Sequence, residues 1–157
     1  FTSTVAAIDT PTGPVDEAFA PMAVTVRLTG DLDISRGDML CRPNNRPTVT
    51  QDLDATVCWM DESSELRPGQ KLAIKHTSRW ARAMVTDLVY RLDINTLHRD
   101  SGASALGLNE IGRVRLRCTR PLFVDDYRRN RTTGSFMLVD EASNSTVAAG
   151  MVRGASG

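Results

Sequence analysis

Short runs of alternating hydrophobic and polar residues, each ended by turn-forming residues, constrain the fold of this chain most. In one run Val114, Leu116 and Cys118 alternate with arginines. In the next run Phe136 and Leu138 alternate with Ser135 and Met137. A period of two residues places one set of side chains in a core and the other towards solvent. No segment shows convincing helical spacing. The pattern predicts an all-β protein built from antiparallel strands.

Further strands are predicted along the whole chain. They cover residues 1–8, 22–28, 39–41, 53–59, 72–76, 80–92 and 146–151. The run 80–92 is long, and its hydrophobic residues change face near Thr86 and Asp87, which predicts a β-bulge at that point. Residues 93–104 are predicted to form a loop. Gly134 and Asn144 lie in connections that need turn or left-handed backbone.

Composition bounds the domain count and the kind of partner. The chain has 157 residues, 41% of them hydrophobic and only 5% aromatic, so a core must rest on aliphatic side chains in one or two small domains. The formal net charge of +0 argues against a dedicated nucleic-acid-binding arm. Arginine greatly outnumbers lysine, which we attribute mainly to the base composition of the source genome.

A proline- and asparagine-rich segment divides the chain. Residues 43–47 carry two prolines and two asparagines and are predicted to form a stiff connector. Residues 1–42 hold too few strands to close a barrel and are predicted to form a partial one. Residues 48–152 are predicted to form a complete six-stranded antiparallel barrel, and residues 153–157 a flexible linker.

Cysteines and histidines give no metal signal. The chain has Cys41, Cys58, Cys118, His76 and His98. No two cysteines are close in sequence, whereas a zinc site needs about four ligands with close pairs. We therefore expect free thiols in a reducing cytoplasm. The lack of a membrane-length apolar run and of a charged-then-apolar leader fits this location, and a start within a predicted strand at Phe1 suggests a piece of a longer protein.

Residues for nucleotide chemistry or other catalysis are missing from the sequence. A phosphate-binding loop needs the pattern GxxxxGK[ST], and neither Lys71 nor Lys75 follows such a loop. We expect the chain by itself neither to bind nor to hydrolyse GTP, and to hold no catalytic residue. The adjacent acids at 61–62 and 125–126 are interpreted as loop acids, because neighbours on a strand point to opposite faces. Residues 36–38 spell Arg-Gly-Asp, which we interpret as a hairpin turn rather than an adhesion motif.

Two groups of residues are candidates for binding a partner. The candidate residues are Arg113, Arg115, Arg117, Arg128, Asn130 and Arg131. The three arginines at 113–117 form a basic stripe. The stripe either binds an anionic partner, which would be RNA or an acidic protein, or is a solvated outer face without a partner. Few aromatic residues surround the stripe, which weakens the nucleic-acid alternative. Asn130 either contacts a partner or ties a turn in which Gly134 supplies free φ.

Several segments resemble a known family. They are residues 108–112, 121–122, 125 with 127, 130–131, 133–136 and 146–151. Together they resemble the last β-barrel domain of the GTPase subunit of bacterial sulfate adenylyltransferase, which is built like elongation factor Tu. Residues 1–42, down to the segment 33–38, resemble the second half of the middle barrel of the same GTPases.

The resemblance implies a fold and a parent activity. The fold would be that of domains 2 and 3 of translation-factor-like GTPases. The parent would drive adenylyl sulfate formation from ATP and sulfate by GTP hydrolysis, in cytoplasmic sulfate assimilation and cysteine biosynthesis. GTP and magnesium would bind in a preceding GTPase domain, and an adenylylsulfate kinase domain follows the last barrel in some relatives.

The resemblance also implies partners. The barrels would contact the catalytic nucleotidyltransferase subunit and their own GTPase domain, and would relay the state of the GTPase without catalytic residues of their own. Residues 146–152 also resemble the closing strand of elongation factor Tu. The alternative is therefore a pair of translation-factor barrels that binds tRNA or another RNA-bearing partner. We expect no membrane partner and consider nucleic acid the weaker alternative.

Overall fold

The computed structural model describes residues 1–155, and all of their regular secondary structure is β-strand. The all-β prediction is therefore confirmed for this part of the chain. The described residues fall into two compact units, of which the first is Phe1–Ser35 and the second begins at Arg36.

The first unit is a three-stranded antiparallel sheet. Its strands are β1 (Val5–Thr10), β2 (Gly13–Val15) and β3 (Thr25–Leu28), in the order β2-β1-β3. The strands expected at residues 1–8 and 22–28 are therefore shifted or shortened. The prediction of a strand at residues 39–41 is wrong, because those residues do not pair with any strand. Every fully buried hydrophobic side chain among the described residues lies at Leu53 or later, so this sheet encloses no core of its own.

The second unit contains a closed barrel. Its strands are β4 (Thr48–Trp59), β5 (Lys71–His76), β6 (Arg79–Leu92), β7 (Arg99–Asp100), β8 (Ile111–Val124), β9 (Ser135–Val139) and β10 (Thr146–Ala155). They follow the order β5-β9-β10-β4-β8-β6-β7, and an additional β5–β6 pairing closes the ring. Six strands form the barrel, and the two-residue β7 is added to β6 within the segment expected to be a loop. The six-stranded antiparallel barrel is confirmed.

Strict alternation of side chains fills the barrel. The inward side chains of β4 include Leu53, Val57 and Trp59, which are fully buried. Leu116 of β8 and Leu138 of β9 are buried in the same core. The buried indole Nε1 of Trp59 donates a hydrogen bond to the Ser64 carbonyl at 2.6 Å, which satisfies the one polar group that this large side chain brings inside. The inward faces predicted from the sequence are the observed ones.

The strand register of the barrel is irregular at several points, two of which bear on the sequence predictions. The pairing of β6 with β8 shifts between Val85 and Asp87, which confirms the bulge predicted from the change of face. The pairing of β10 with β4 shifts between Val152 and Gly154, and β10 then continues to Ala155. The strand thus extends into the segment expected to be a linker, because β4 begins early enough to supply partners for it. Residues 156 and 157 of that linker lie outside the described residues.

Candidate functional site

The basic stripe lies on the outer face of β8, as predicted, beside carboxylates of the two neighbouring strands. Arg113 Nε donates to Asp54 Oδ1 at 2.8 Å, and its Nη2 donates to the other carboxylate oxygen. Arg117 Nη1 donates to Asp52. Arg115 Nη1 lies 3.6 Å from an oxygen of Asp87 on β6. Each arginine of the stripe therefore has one aspartate as its partner.

These pairs neutralise the stripe. The hydrogen bond from Arg113 holds the pKa of Asp54 below its ordinary value, and the same bond raises the pKa of Arg113. Asp54 is therefore ionised in the folded protein at neutral pH. Three arginines facing three aspartates leave little net charge for phosphate groups, which favours the interpretation as a solvated outer face. Their contact with a partner stays a prediction.

Asn130 ties together the loop between β8 and β9. Its side-chain Oδ1 accepts hydrogen bonds from the backbone amides of Thr132 and Thr133 at 3.0 and 3.4 Å. Its own backbone amide donates to the Asp126 carbonyl at 3.0 Å, and its carbonyl accepts from Gly134 N at 2.8 Å. The amide side chain is therefore used inside the loop, as the turn interpretation predicts.

Gly134 is required for a different reason from the one expected. Its φ is not among the positive values, whereas that of Asn144 is 57°. A Cβ on Gly134 would lie 2.5 Å from Tyr127 Cα and 2.6 Å from the Asn130 carbonyl oxygen. Close packing of backbone against backbone, rather than free φ, is what excludes a side chain there.

The cations of this loop are only weakly paired. Arg128 is largely exposed, and its Nε lies 3.4 Å from Asp126 Oδ1. Arg129 donates to Asn45 Oδ1 at 2.7 Å. Among the described residues Arg131 has no ion pair. Unlike the stripe on β8, this loop carries positive charge that is not matched locally.

His76 anchors the same loop from the core of the barrel. It is 1% exposed and is the buried polar residue of the core. Its Nε2 lies 2.8 Å from the Thr133 carbonyl oxygen, so this nitrogen carries the proton and donates it. Burial lowers the pKa of His76, against the opposing effect of the Thr133 carbonyl. Alternation placed His76 correctly on the inward face, but the role of its ring as a loop anchor was not predicted.

Arg79, which sequence reasoning missed, fixes the Arg-Gly-Asp segment to the barrel. Its guanidinium donates to the Gly37 carbonyl at 3.0 Å, to the Pro121 carbonyl at 2.8 Å and to Asp38 Oδ1 at 2.7 Å. It also lies over the Phe123 ring, 4.4 Å from the centroid. The carboxylate of the tripeptide is thus engaged within the protein. One arginine among many gives no signal of this role in the sequence.

The three cysteines are free thiols in different surroundings. Cys41 is exposed, Cys58 is half-buried and Cys118 is buried. Burial raises the pKa of Cys118 to about 12, so its thiol stays protonated and unreactive near neutral pH. Within residues 1–155 no cluster of three or more histidine, cysteine or acidic side chains is placed to hold a metal ion.

An open groove follows the outer face of the barrel beside the Asn130 loop. It has a volume of about 570 Å³, and its lining includes Lys75, Tyr127, Met137, Ala149 and Met151. A smaller groove of about 180 Å³ shares Tyr127 and Met151 with it. We call the two together the outer-face groove. The sequence gives no direct sign of it, because its lining comes from strands far apart in the chain.

Comparisons with known proteins place this geometry in a family. The model of the GTP-eEF1A C-terminal domain-like family matches residues 52–153. Among solved structures, Sup35 complexed with GDP is similar with a TM-score of 0.86 at 20% identity, covering 99% of this chain and 38% of that one. Sup35 complexed with GMPPNP gives the same values. At this identity the likeness shows the fold.

Curated relatives are closer in sequence. The bifunctional enzyme CysN/CysC of Mycobacterium tuberculosis is 59% identical over 151 residues, which are 96% of this chain and 25% of that protein. The protein of the same name in Rhodopirellula baltica is 47% identical over 99% of this chain and 24% of its own length. Sulfate adenylyltransferase subunit 1 of Teredinibacter turnerae is 42% identical over 96% of this chain and 32% of its own length.

These relatives confirm the resemblance seen in the sequence. The chain spans about a quarter to a third of the length of the curated relatives named above. In the described part of the chain, no helix has the length and apolar character needed to cross a membrane.

Proposed function

We propose that this chain, which belongs to the GTP-eEF1A C-terminal domain-like family, is the barrel region of a sulfate-activating GTPase subunit. The observation that carries the proposal is 59% identity to a CysN/CysC enzyme over 96% of this chain. The whole protein would form adenylyl sulfate from ATP and sulfate, driven by GTP hydrolysis. Because that chemistry draws on ATP and GTP, we place the protein in the cytoplasm.

Within such a protein these residues would bind and orient rather than catalyse. GTP and magnesium would be held by the GTPase domain of the parent, since the phosphate-binding pattern is missing from this sequence. The closed barrel is a rigid body in which strands and loops are tied by buried contacts such as His76 to Thr133. A rigid body of this kind can transmit a change in the GTPase domain to a partner that rests on the barrel.

We infer that the partner is the catalytic nucleotidyltransferase subunit rather than RNA. The stripe arginines are paired with aspartates, as in Arg113 with Asp54, which removes the most regular array of positive charge. The net charge is +0. Exposed hydrophobic side chains such as Met137 and Met151 are present on the outer face, and protein interfaces bury an apolar centre of this kind.

Affinity capture tests the proposal. We expect the immobilised chain to retain the catalytic subunit from the same source at moderate salt and to retain no tRNA. Reversal of Arg128, Arg129 and Arg131 to Glu should weaken that capture, because these cations lack strong local partners. A triple reversal of Arg67, Arg82 and Arg99, which are exposed elsewhere, is the charge-matched control.

One result would contradict the proposed function, and another would contradict only the role of the loop. Retention of tRNA without the catalytic subunit would move the chain to the translation-factor class. Equal capture by the loop variant and the control would remove the Arg128–Arg131 loop from the interface while leaving the role of the barrel in place.

A further inference from the structure

The outer-face groove is lined by outward-facing residues of four strands, and Trp80 of a fifth strand borders it beside Lys75. Register pairs join Trp80 to Lys75, Lys75 to Met137, Met137 to Ala149 and Ala149 to Cys58. All five side chains point out of the barrel, because their strand neighbours point in. Trp80 is 48% exposed and Met137 39% exposed. Flexible methionines beside a large aromatic residue suit a surface that adapts to apolar side chains of a partner.

Strand divergence creates the groove. The pairing of β5 with β9 ends at Lys75 opposite Met137, although β9 continues back to Ser135. Beyond that point the His76 ring reaches to Thr133 instead of a backbone ladder. The Asn130 loop then supplies Tyr127 as a wall. The six barrel strands form a closed ring, so side chains rather than a long free strand edge line this groove.

The linings of the groove carry an excess of positive charge. Lys75 is the one charged residue that lines the larger groove, and its Nζ lies over the Trp80 ring, 5.6 Å from the centroid, without a carboxylate partner among the described residues. The smaller groove is lined by Arg128, Arg153 and Asp126. Three cations and one anion give a net charge of two positive over both linings.

This excess distinguishes the groove from the rest of the outer face. On β8 every arginine of the stripe is opposed by an aspartate, for example Arg117 by Asp52. A surface that is apolar in its centre and cationic at both ends complements a segment with apolar anchors and flanking carboxylates. The phosphate backbone of a nucleic acid complements this surface poorly, because it has no apolar groups to pack on Met137 and Met151.

We propose that the outer-face groove receives an extended segment of the catalytic subunit that has large apolar side chains at its centre and carboxylates at both ends. The inference rests on the proposed function for the identity of the partner. The apolar side chains would lie on Met137, Ala149 and Met151. The carboxylates would pair with Lys75 at one end and with Arg128 and Arg153 at the other.

Matched substitutions in the full chain test the surface. Met137→Glu and Lys75→Glu should each weaken binding of the catalytic subunit about tenfold or more, because the first places a charge at the apolar centre and the second opposes a carboxylate of the segment. Met84→Glu and Lys71→Glu are the controls, since Met84 is 38% exposed on the same outer face and Lys71 is exposed on the same strand, both outside the groove. Dissociation constants are measured by biolayer interferometry, and thermal unfolding verifies that all four variants are folded.

The outcomes separate failure of the groove from failure of the function. If the unaltered chain binds the subunit and the groove variants behave as the controls do, the groove inference is wrong and the proposed function stands. If the unaltered chain does not bind the subunit, the proposed function is wrong. The segment chemistry is then tested alone with two synthetic peptides that share a leucine-rich centre, one flanked by aspartates (the leucine–aspartate peptide) and one flanked by lysines.

The peptides are titrated into the chain while the methionine methyl resonances are followed by NMR. We expect the leucine–aspartate peptide to shift the resonances of Met137 and Met151 but not that of Met84. Equal effects of both peptides, or no effect of either, would overturn the inference. Concentration-dependent dimerisation that Met137→Glu abolishes would also overturn it, because the occupant would then be a second copy of this chain.

Discussion

His76 is a buried titratable residue whose neutral form the fold requires. Burial lowers its pKa below the ordinary value of about 6.5. Arg79 disfavours the protonated ring and Asp125 favours it. Because the unfolded chain binds a proton more readily than the folded one, the stability due to neutral His76 is fully present above pH 6.5. It is lost as the pH falls from there towards the lowered folded pKa.

We therefore expect the free energy of unfolding to decrease as the pH is lowered from about 7 to about 5. This pH range lies above the one in which Asp54 and the other hydrogen-bonded carboxylates titrate. Denaturant titrations over this range should show a shallower pH dependence for His76→Gln than for the unaltered chain. His98→Gln, in the exposed loop, is the control. The same pH dependence in both variants would contradict the assignment.

Gly150 lies opposite Phe136 in the pairing of β10 with β9, and a Cβ at this position would overlap the Phe136 ring. Gly150→Ala should destabilise the protein by about 1–3 kcal/mol through overpacking. Gly107→Ala, whose new Cβ would meet nothing closer than 3.7 Å, is the control. Denaturant unfolding checks both, and the double variant Gly150→Ala with Phe136→Leu should recover part of the loss. A double variant as unstable as the sum of its single variants would contradict this packing.

At the residue scale the sequence predicts which way a side chain faces better than what it contacts. Alternation alone placed Arg113 and Arg117 on the outer face of β8. Their partners Asp54 and Asp52 lie 59 and 65 residues away in sequence. Such pairs depend on how β4 registers with β8, which local patterns do not encode. The neutralisation of the stripe therefore had to await the structure.

At the scale of elements, Arg79 at the start of β6 joins the segment at 37–38 to the barrel. It donates two hydrogen bonds to that segment and a third to the Pro121 carbonyl of β8. Arg79→Lys keeps the charge but cannot reproduce the planar set of donors. We expect several-fold faster cleavage by trypsin at Arg36 and Arg42 in this variant. Arg82→Lys, on the exposed side of the same strand, should leave the cleavage rate unchanged. Equal rates in both variants would show that Arg79 does not restrain the segment.

Strand boundaries were predictable where a core enforces them. On β4 every inward position from Leu53 to Trp59 is fully buried, and alternation predicted that face correctly. In the first unit β3 pairs only over the length that β1 offers, from Thr25 to Leu28, although the alternating pattern begins at residue 22. Without a buried face, a hydrophobic pattern no longer determines where pairing begins or ends.

At the scale of the whole molecule, the two compact units should differ in autonomy. The buried core lies entirely in the second unit, from Leu53 to Val152 among the described residues. We expect a piece covering residues 36–157 to fold and to show protected amides in hydrogen exchange. A piece covering residues 1–35 should exchange freely, because a small sheet without a core is only marginally stable. Protected amides in the isolated first piece would contradict this account.

The six-stranded barrel followed from the number of alternating runs and from the family resemblance of particular segments such as 133–136. The outer-face groove did not, because it forms where β5 and β9 diverge beside a loop fixed by His76. Its lining draws on residues from Cys58 to Met151. Fold is thus carried by local periodicity, whereas the candidate binding surface arises only from long-range pairing.

Binding measured over a range of salt concentrations tests the central claim, that this barrel recognises a protein and not RNA, most directly. Affinities of the chain for the catalytic subunit and for tRNA are determined from low to high salt. The account predicts binding of the subunit that weakens only modestly with salt, through a few ion pairs, together with no measurable binding of tRNA. Binding of tRNA that weakens with a log–log slope of about −0.7 for each phosphate contacted, without binding of the subunit, would contradict it.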